Sequence, residues 1–229
     1  MHETVHTSPA IQLATTLKRY EANRTSVFDW IDRSWVPSPW AEFFAQRPDS
    51  ISPGSACALC NFLAMPAPSF SVLCAPDSRA GHQLANVSVP RGISILRIRA
   101  LFFRREELRR MVGRAHRARI ADFIGDLAST VLPWAAATPG APDIDRLART
   151  CGIPPLDSLS HTALSWEGFC LFVRDGLLHQ EGPAALLRFA LPRQLDQPHW
   201  LTRCERGIDA NGSSQTLDLL PMLFPEVAS

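Results

Sequence analysis

The sequence predicts a mainly α-helical protein that folds as a single compact domain over residues 1–229. Apolar residues recur with helical spacing in several segments, and no segment shows the alternating pattern of a β-strand. Hydrophobic residues make up 46% of the 229 residues, which is enough for one substantial core. The 19 prolines divide the pattern into pieces, because proline ends or interrupts a helix.

Two helices are predicted before residue 47. Residues 9–24 carry apolar side chains at positions 10, 13, 17 and 20, and this spacing indicates an amphipathic helix. Residues 40–46 follow two prolines and predict a short helix that Pro48 ends. Residues 47–90 contain frequent prolines and scattered serines, which predict an irregular Pro-rich insertion within the domain.

Residues 93–132 carry the longest helical pattern, with arginines opposite the apolar face. Gly113 and Gly125 predict breaks that divide this pattern into two or three helices. After a linker rich in proline and glycine, residues 143–150 form a further predicted helix, with Asp143 as its N-cap.

The last third of the chain predicts two more helices and a tail. One helix covers residues 160–179, with Ser160 or Thr162 as its N-cap, and the other covers residues 183–190. Beyond residue 198 the sequence becomes polar, so residues 205–229 are predicted to form a flexible C-terminal tail.

Positive charge is concentrated in the middle of the chain. Ten arginines lie between residues 91 and 119 against two glutamates, in a chain whose formal net charge is only +1. Such a surface meets an acidic partner, a nucleic acid, or the acidic remainder of the same chain. Our hypothesis is one partner-docking face formed by Arg104, Arg105, Arg109 and Arg110. The alternative is a nucleic-acid-binding regulator that uses the arginine-rich helix 93–120.

Three of the six tryptophans, Trp30, Trp35 and Trp40, lie within residues 27–44 together with three phenylalanines. Aromatic side chains dominate both protein cores and the hot spots of protein interfaces. This segment is therefore interpreted either as an anchor to the chain's own core or as a second partner-binding surface.

The sequence contains none of the motifs of nucleophilic, phosphate-binding or dinucleotide-binding sites. Cys57 and Cys60 form a C-x-x-C pair, with Cys74 and His82 downstream, but no second knuckle completes a zinc site. We therefore expect a non-catalytic protein with reduced cysteines, no metal, no cofactor and no small-molecule substrate. No apolar run reaches membrane-spanning length, and no signal peptide is recognisable, so a cytoplasmic protein without membrane insertion is expected.

Three places in the chain carry short motifs of one known family. Residues 28–37 read aromatic-x-x-Ile-Asp-x-Ser-Trp-Val-Pro, and residues 121–125 read Ala-Asp-Phe-Ile-Gly after the arginine-rich pattern. A Trp-Glu-Gly sequence at 166–168 precedes Leu-Arg-Phe-Ala-Leu-Pro at 187–192. In order and spacing these motifs resemble the SctK family, also called YscK or PscK, with departures at Arg33, Val36 and Ala190.

The resemblance implies an accessory protein of the bacterial type III secretion sorting platform. Such a protein is a cytosolic adaptor that links the cytoplasmic domain of the inner-membrane ring protein (SctD-like) to the pod protein (SctQ-like). The resemblance thus implies these two protein partners, and a location at the cytosolic face of the inner membrane.

Overall fold

The computed structural model describes residues 9–46, 51–66, 83–111, 113–179, 182–205 and 207–225. Within these ranges the chain is mainly helical and contains no strand, which confirms the predicted fold class. The α-helices in chain order are α1 (Pro9–Thr25), α2 (Val27–Trp30), α3 (Ser38–Gln46), α4 (Pro53–Phe62), α5 (Val89–Phe103), α6 (Arg105–Arg110), α7 (Arg114–Ile124), α8 (Ala128–Ala137), α9 (Ile144–Cys151), α10 (His161–Arg174), α11 (His199–Arg203), α12 (Gly212–Asp218) and α13 (Leu220–Leu223). Within the described ranges, four 3₁₀ helices connect them, at Arg33–Trp35, Gly125–Leu127, Leu156–Ser158 and Pro183–Ala190.

Helix α5 is the central element of the domain. Most of its residues are buried, including three large side chains at its C-terminal end, Leu101, Phe102 and Phe103. Helix α10 lies along α5, and α7, α12 and the 3₁₀ helix Pro183–Ala190 pack on its other sides. Because most of α5 is buried, the remaining elements are arranged around it.

Gly168 allows α5 and α10 to approach each other closely. A Cβ atom at this position would overlap the carbonyl oxygen and carbon of Leu96 in α5. Backbone atoms cannot rotate away as a side chain can, so only glycine fits at this crossing. The close packing of α5 and α10 therefore explains why the third residue of the Trp-Glu-Gly sequence is glycine.

Helix α1 is attached to the segment that leads into α5 by hydrogen bonds from its inner face. Thr16 donates to the side chain of Asn86, at 2.7 Å between oxygens. The Asn23 side chain donates to the Val87 carbonyl and accepts from the Val89 backbone N–H. The buried side chains of Thr16 and Asn23 are thus paired, as buried polar groups require.

The predicted irregular insertion 47–90 contains a regular helix, which corrects that prediction for its described part. Ser52 and Ser55 form a capping box at the start of α4, and Pro53 occupies its first turn. Proline is well tolerated there because the first helical N–H groups have no partner within the helix. Ala56, Leu59 and Cys60 then pack into the core. Residues 47–50 and 67–82 of the predicted insertion lie outside the described residues.

The arginine-rich pattern is divided where the glycines predict and at one further place. Gly125, with φ of 61°, ends α7, and Gly113 is the N-cap of α7. A third break separates α5 from α6 at Arg104. The predicted N-caps Asp143 and Ser160 are confirmed, because their side chains accept from the N–H groups of Arg146 and Ala163.

The predicted flexible tail is wrong for residues 207–225. Helices α12 and α13 form there and bury Ser213, Thr216, Leu217 and Leu220. The polar Asn-Gly-Ser-Ser sequence misleads, because its Ser213 hydroxyl accepts from Arg99 in the interior and donates to Asp175. Among the described residues, no helix combines the length and hydropathy needed to cross a membrane.

We predict that Gly168→Ala lowers the free energy of unfolding by about 3 kcal/mol, because the added methyl group forces α5 and α10 apart. Chemical denaturation followed by circular dichroism measures this change. Gly54→Ala in α4 is the matched control. Its Cβ atom would have an ordinary 3.7 Å contact with Ser52, so we expect a change of less than about 1 kcal/mol. Equal effects of the two substitutions would contradict the close-packing account.

Candidate functional site

Arg104, predicted as part of a docking face, is completely buried at the junction of α5 and α6. Its guanidinium group donates to both carboxylate oxygens of Glu167 in α10, at 2.7 and 2.8 Å. It also donates to Glu107 and to the Pro154 carbonyl oxygen. Burial opposes the charge of Arg104, but the Glu167 carboxylate outweighs it and the pKa of Arg104 lies above its usual value.

Arg105, predicted for the same face, is 2% exposed and binds a second carboxylate. Asp209 accepts from Arg105 through one oxygen at 2.8 Å and from Arg99 of α5 through the other at 2.7 Å. Arg105 also donates to the carbonyl oxygens of Pro139 and Gly140, and Arg99 to Asp175. We call Arg99, Arg104 and Arg105 the buried arginines.

The hypothesis of one exposed face formed by Arg104, Arg105, Arg109 and Arg110 is therefore corrected. The side chains of Arg109 and Arg110 are 30% and 49% exposed, whereas the other two guanidinium groups lie in the interior. The physical reason is that Arg104 and Arg105 pair in the interior with the buried carboxylates of Glu167 and Asp209. Partner binding by Arg109 and Arg110 stays a prediction.

The alternative interpretation, nucleic-acid binding by helix 93–120, requires a continuous basic surface. The structure divides this segment among α5, α6 and α7 and buries three of its arginines. Others are paired on the surface: Arg109 with Glu106, Arg110 with Asp145 and Arg119 with Asp122. Because intramolecular carboxylates neutralise much of its charge, this segment offers little to a phosphate backbone.

Trp30 and Trp35 are half-buried and are held by the chain's own backbone. The Trp30 indole N–H donates to the Asn23 carbonyl oxygen, and the Trp35 indole N–H donates to the Leu191 carbonyl oxygen, each at 2.8 Å. The Trp35 ring also packs on Phe189, with 4.7 Å between ring centroids. These two tryptophans anchor the N-terminal segment, as the first of the two sequence interpretations expects.

Trp40 belongs to a different group of rings, which we call the aromatic patch: Trp40, Phe43, Phe44 and Phe62. Its ring centroids are 5.2–6.0 Å apart from one neighbour to the next. Phe43 is 45% exposed and Phe62 is 61% exposed. Helix α3, which supplies three of the rings, contains no buried residue. An apolar surface of this kind is typical of a protein-binding site.

Three of the family motifs meet at Arg188. Its guanidinium carbon lies 5.1 Å from the Trp35 ring centroid and 4.9 Å from that of Trp166. Arg188 also donates to the carbonyl oxygens of residues 191–193. Burial lowers the pKa of Arg188 below the usual arginine value. We call Trp35, Arg188 and Trp166 the motif junction. Stacking of this guanidinium group on indole rings joins the N-terminal segment to the last third of the chain.

A surface cleft of about 600 Å³ lies beside the motif junction, lined by Ser34, Pro192, Arg193 and Gln194. The Ser34 hydroxyl donates to Asp32 and accepts from the Arg193 backbone N–H. Sequence reasoning missed this cleft and Arg188. The motifs that form them were visible, but nothing in the sequence showed that residues 32–35 contact residues 188–194.

Cys57 and Cys60 of α4 are held by ordinary contacts. The Arg24 side chain donates to the Cys57 sulfur at 3.8 Å, and the Cys60 thiol donates to the Arg24 carbonyl oxygen at 3.7 Å. Burial raises the pKa of the Cys60 thiol. Cys74 and His82 lie outside the described residues. No group of three potential metal ligands occurs within the part of the chain that the structure describes.

The fold and its surfaces define a helical protein with an exposed aromatic patch and an arginine-lined cleft. Comparison with family models adds the biological class, which is that of a bacterial type III secretion protein. The chain belongs to the HrpB4 family, whose model matches residues 7–226. This match confirms the coarser part of the resemblance, type III secretion. The comparisons with curated proteins and with solved structures return no match.

We predict that Glu167→Gln lowers the free energy of unfolding by about 3 kcal/mol, because Arg104 loses the charge of its main buried partner. Urea denaturation at neutral pH measures the change. The control is Glu106→Gln, which removes the exposed pair with Arg109 and is expected to cost less than about 1 kcal/mol. A small effect of both substitutions would show that the buried pair does not hold α6 and α10 together.

We predict that Arg188→Lys lowers the free energy of unfolding by about 1–2 kcal/mol, because an ammonium group cannot stack on two indole rings. Thermal denaturation and tryptophan fluorescence measure stability and the environment of the rings. Arg149→Lys on the exposed side of α9 is the matched control, and no change is expected from it. Unchanged stability and fluorescence in Arg188→Lys would contradict a structural role of the stack.

Proposed function

We propose that this protein is a non-catalytic adaptor of the type III secretion sorting platform, located at the cytosolic face of the inner membrane. In this role it links the cytoplasmic domain of the inner-membrane ring protein to the pod protein. Membership of a type III secretion family supports the general role, and the resemblance to SctK supports the specific one.

The observation that carries the proposal is the aromatic patch. Helix α3 carries apolar rings and buries none of its residues completely. Exposing such rings to water is unfavourable, at roughly 25 cal/mol for each Å² of apolar surface. A partner that covers Phe43 and Phe62 recovers this free energy, so we propose the patch as one docking surface.

A second docking surface of the proposed adaptor contains Arg109 and Arg110. Their ion pairs with Glu106 and Asp145 are exposed, so an acidic partner can compete for the guanidinium groups at low cost. Exposed charges of this kind mainly guide association and discriminate against wrong partners.

We expect the tagged chain to purify together with the pod protein, and separately with the ring protein's cytoplasmic domain, each from the same genome. The complexes should survive about 0.3 M salt, where exposed charge pairs are heavily screened. The double variant Phe43→Ser with Phe62→Ser should weaken one complex by about 2 kcal/mol or more, as expected for interface hot spots.

The matched control is Ile11→Ser with Met222→Ser, because both residues are 57% exposed and lie outside the patch. This control should retain both complexes. Folded, monodisperse wild-type protein that binds neither partner would contradict the adaptor proposal. Equal loss with the patch variant and the control would contradict the assignment of the patch.

A further inference from the structure

The cleft beside the motif junction has a fixed backbone. The Asp32 N–H donates to the Phe189 carbonyl oxygen at 2.9 Å, and the Arg193 N–H donates to the Ser34 hydroxyl at 2.7 Å. With the bond from the Trp35 indole to Leu191, three hydrogen bonds join the two walls. The walls are thus positioned before any ligand arrives, which lowers the entropic cost of binding.

The charge of the cleft is positive and incompletely neutralised. Arg193 lines the cleft and lies over the Trp35 ring at 5.5 Å, and Arg33 is exposed next to Ser34. Neither arginine has a carboxylate partner in the described ranges. The hydrogen bonds of the Arg188 guanidinium group go to backbone carbonyl oxygens of residues 191–193. Asp32 is a carboxylate near the cleft, and it accepts hydrogen bonds from the Ser34 N–H and hydroxyl groups.

This pattern differs from that of the arginines that form ion pairs within the chain. The buried arginines and the exposed Arg109, Arg110 and Arg119 each contact a carboxylate of the same chain. Arg188 and Arg193 both lie over the Trp35 ring, Arg33 precedes Ser34 in the chain, and none of the three forms an ion pair with a described carboxylate. The Trp35 ring positions the Arg193 guanidinium group. A guanidinium group is well suited to bidentate binding of a carboxylate.

We propose that the cleft lined by Ser34, Pro192, Arg193 and Gln194 binds an acidic segment of a partner protein. Arg193 and Arg33 pair with its carboxylates, and the Ser34 hydroxyl and the Gln194 amide lie beside them as further polar groups. The proposal rests on the proposed function only in taking the ligand to be part of another protein. An acidic peptide is favoured over a nucleic acid because the cleft is short and the chain's net charge is only +1.

The test is a titration of the full chain with fluorescein-labelled hexaglutamate, followed by fluorescence anisotropy at about 0.1 M salt. Hexaglutamine and a dT6 oligonucleotide are titrated in parallel. We expect binding of hexaglutamate that is measurably tighter than binding of the other two probes. Absence of hexaglutamate binding, or tighter binding of the oligonucleotide, would overturn the proposal.

The site is located by two variants with equal charge change. Arg33→Glu with Arg193→Glu should weaken hexaglutamate binding by at least about tenfold, because like charges then face each other. Arg146→Glu with Arg149→Glu alters two exposed arginines of α9 and should weaken it by less than about twofold. Equal losses would show a general charge effect and overturn the assignment to the cleft. If the glutamate variant does not fold, Arg33→Gln with Arg193→Gln replaces it, with the same expected direction and the same overturning result.

This titration contains no type III secretion component, so its outcome is independent of co-purification with the pod and ring proteins. If the chain binds the peptide but forms neither complex, the cleft proposal stands and the adaptor proposal is overturned. If both complexes form but the cleft variant binds the peptide as the wild type does, the adaptor proposal stands and the cleft proposal is overturned.

Discussion

The burial of three arginine side chains is the constraint on which the rest of the structure depends. An ionised group removed from water costs several kcal/mol unless carboxylates and hydrogen-bond acceptors surround it. Glu167, Asp175 and Asp209 meet this requirement, with carbonyl oxygens from residues 139–140 and 154. These groups come from helix α10, two loops and the C-terminal segment. Each of these parts has to fold against the end of α5 for the arginines to be buried.

The buried arginines are neutralised inside the domain, so the candidate partner surfaces lie elsewhere. The aromatic patch lies on α3 and α4, and the arginine-lined cleft lies where the N-terminal segment meets residues 188–194. Both surfaces are displayed by elements that the core fixes in place. Together with Arg109 and Arg110 they are the candidate docking surfaces of the proposed adaptor, whose role requires separate sites for two proteins.

Local features could be predicted from the sequence, and long-range pairing could not. The helical period, the caps Asp143 and Ser160, and the breaks at Gly113 and Gly125 depend on neighbours within one turn. The inward direction of Arg104 depends on Glu167, which is 63 residues away. One signal was present, a single glutamate within the apolar helix α10. The sequence also allowed that the acidic remainder of the chain binds the arginines, and the structure shows this arrangement for the buried ones.

The most direct test of this account is hydrogen–deuterium exchange of the wild type and of Asp209→Asn. This substitution keeps the shape of the side chain but removes the charge shared by Arg99 and Arg105. The account predicts faster exchange in α12 and α13 and at the C-terminal end of α5, with little change in α1 and α4. Unchanged protection of α12 and α13 would contradict the claim that the buried arginines hold the C-terminal segment against the core.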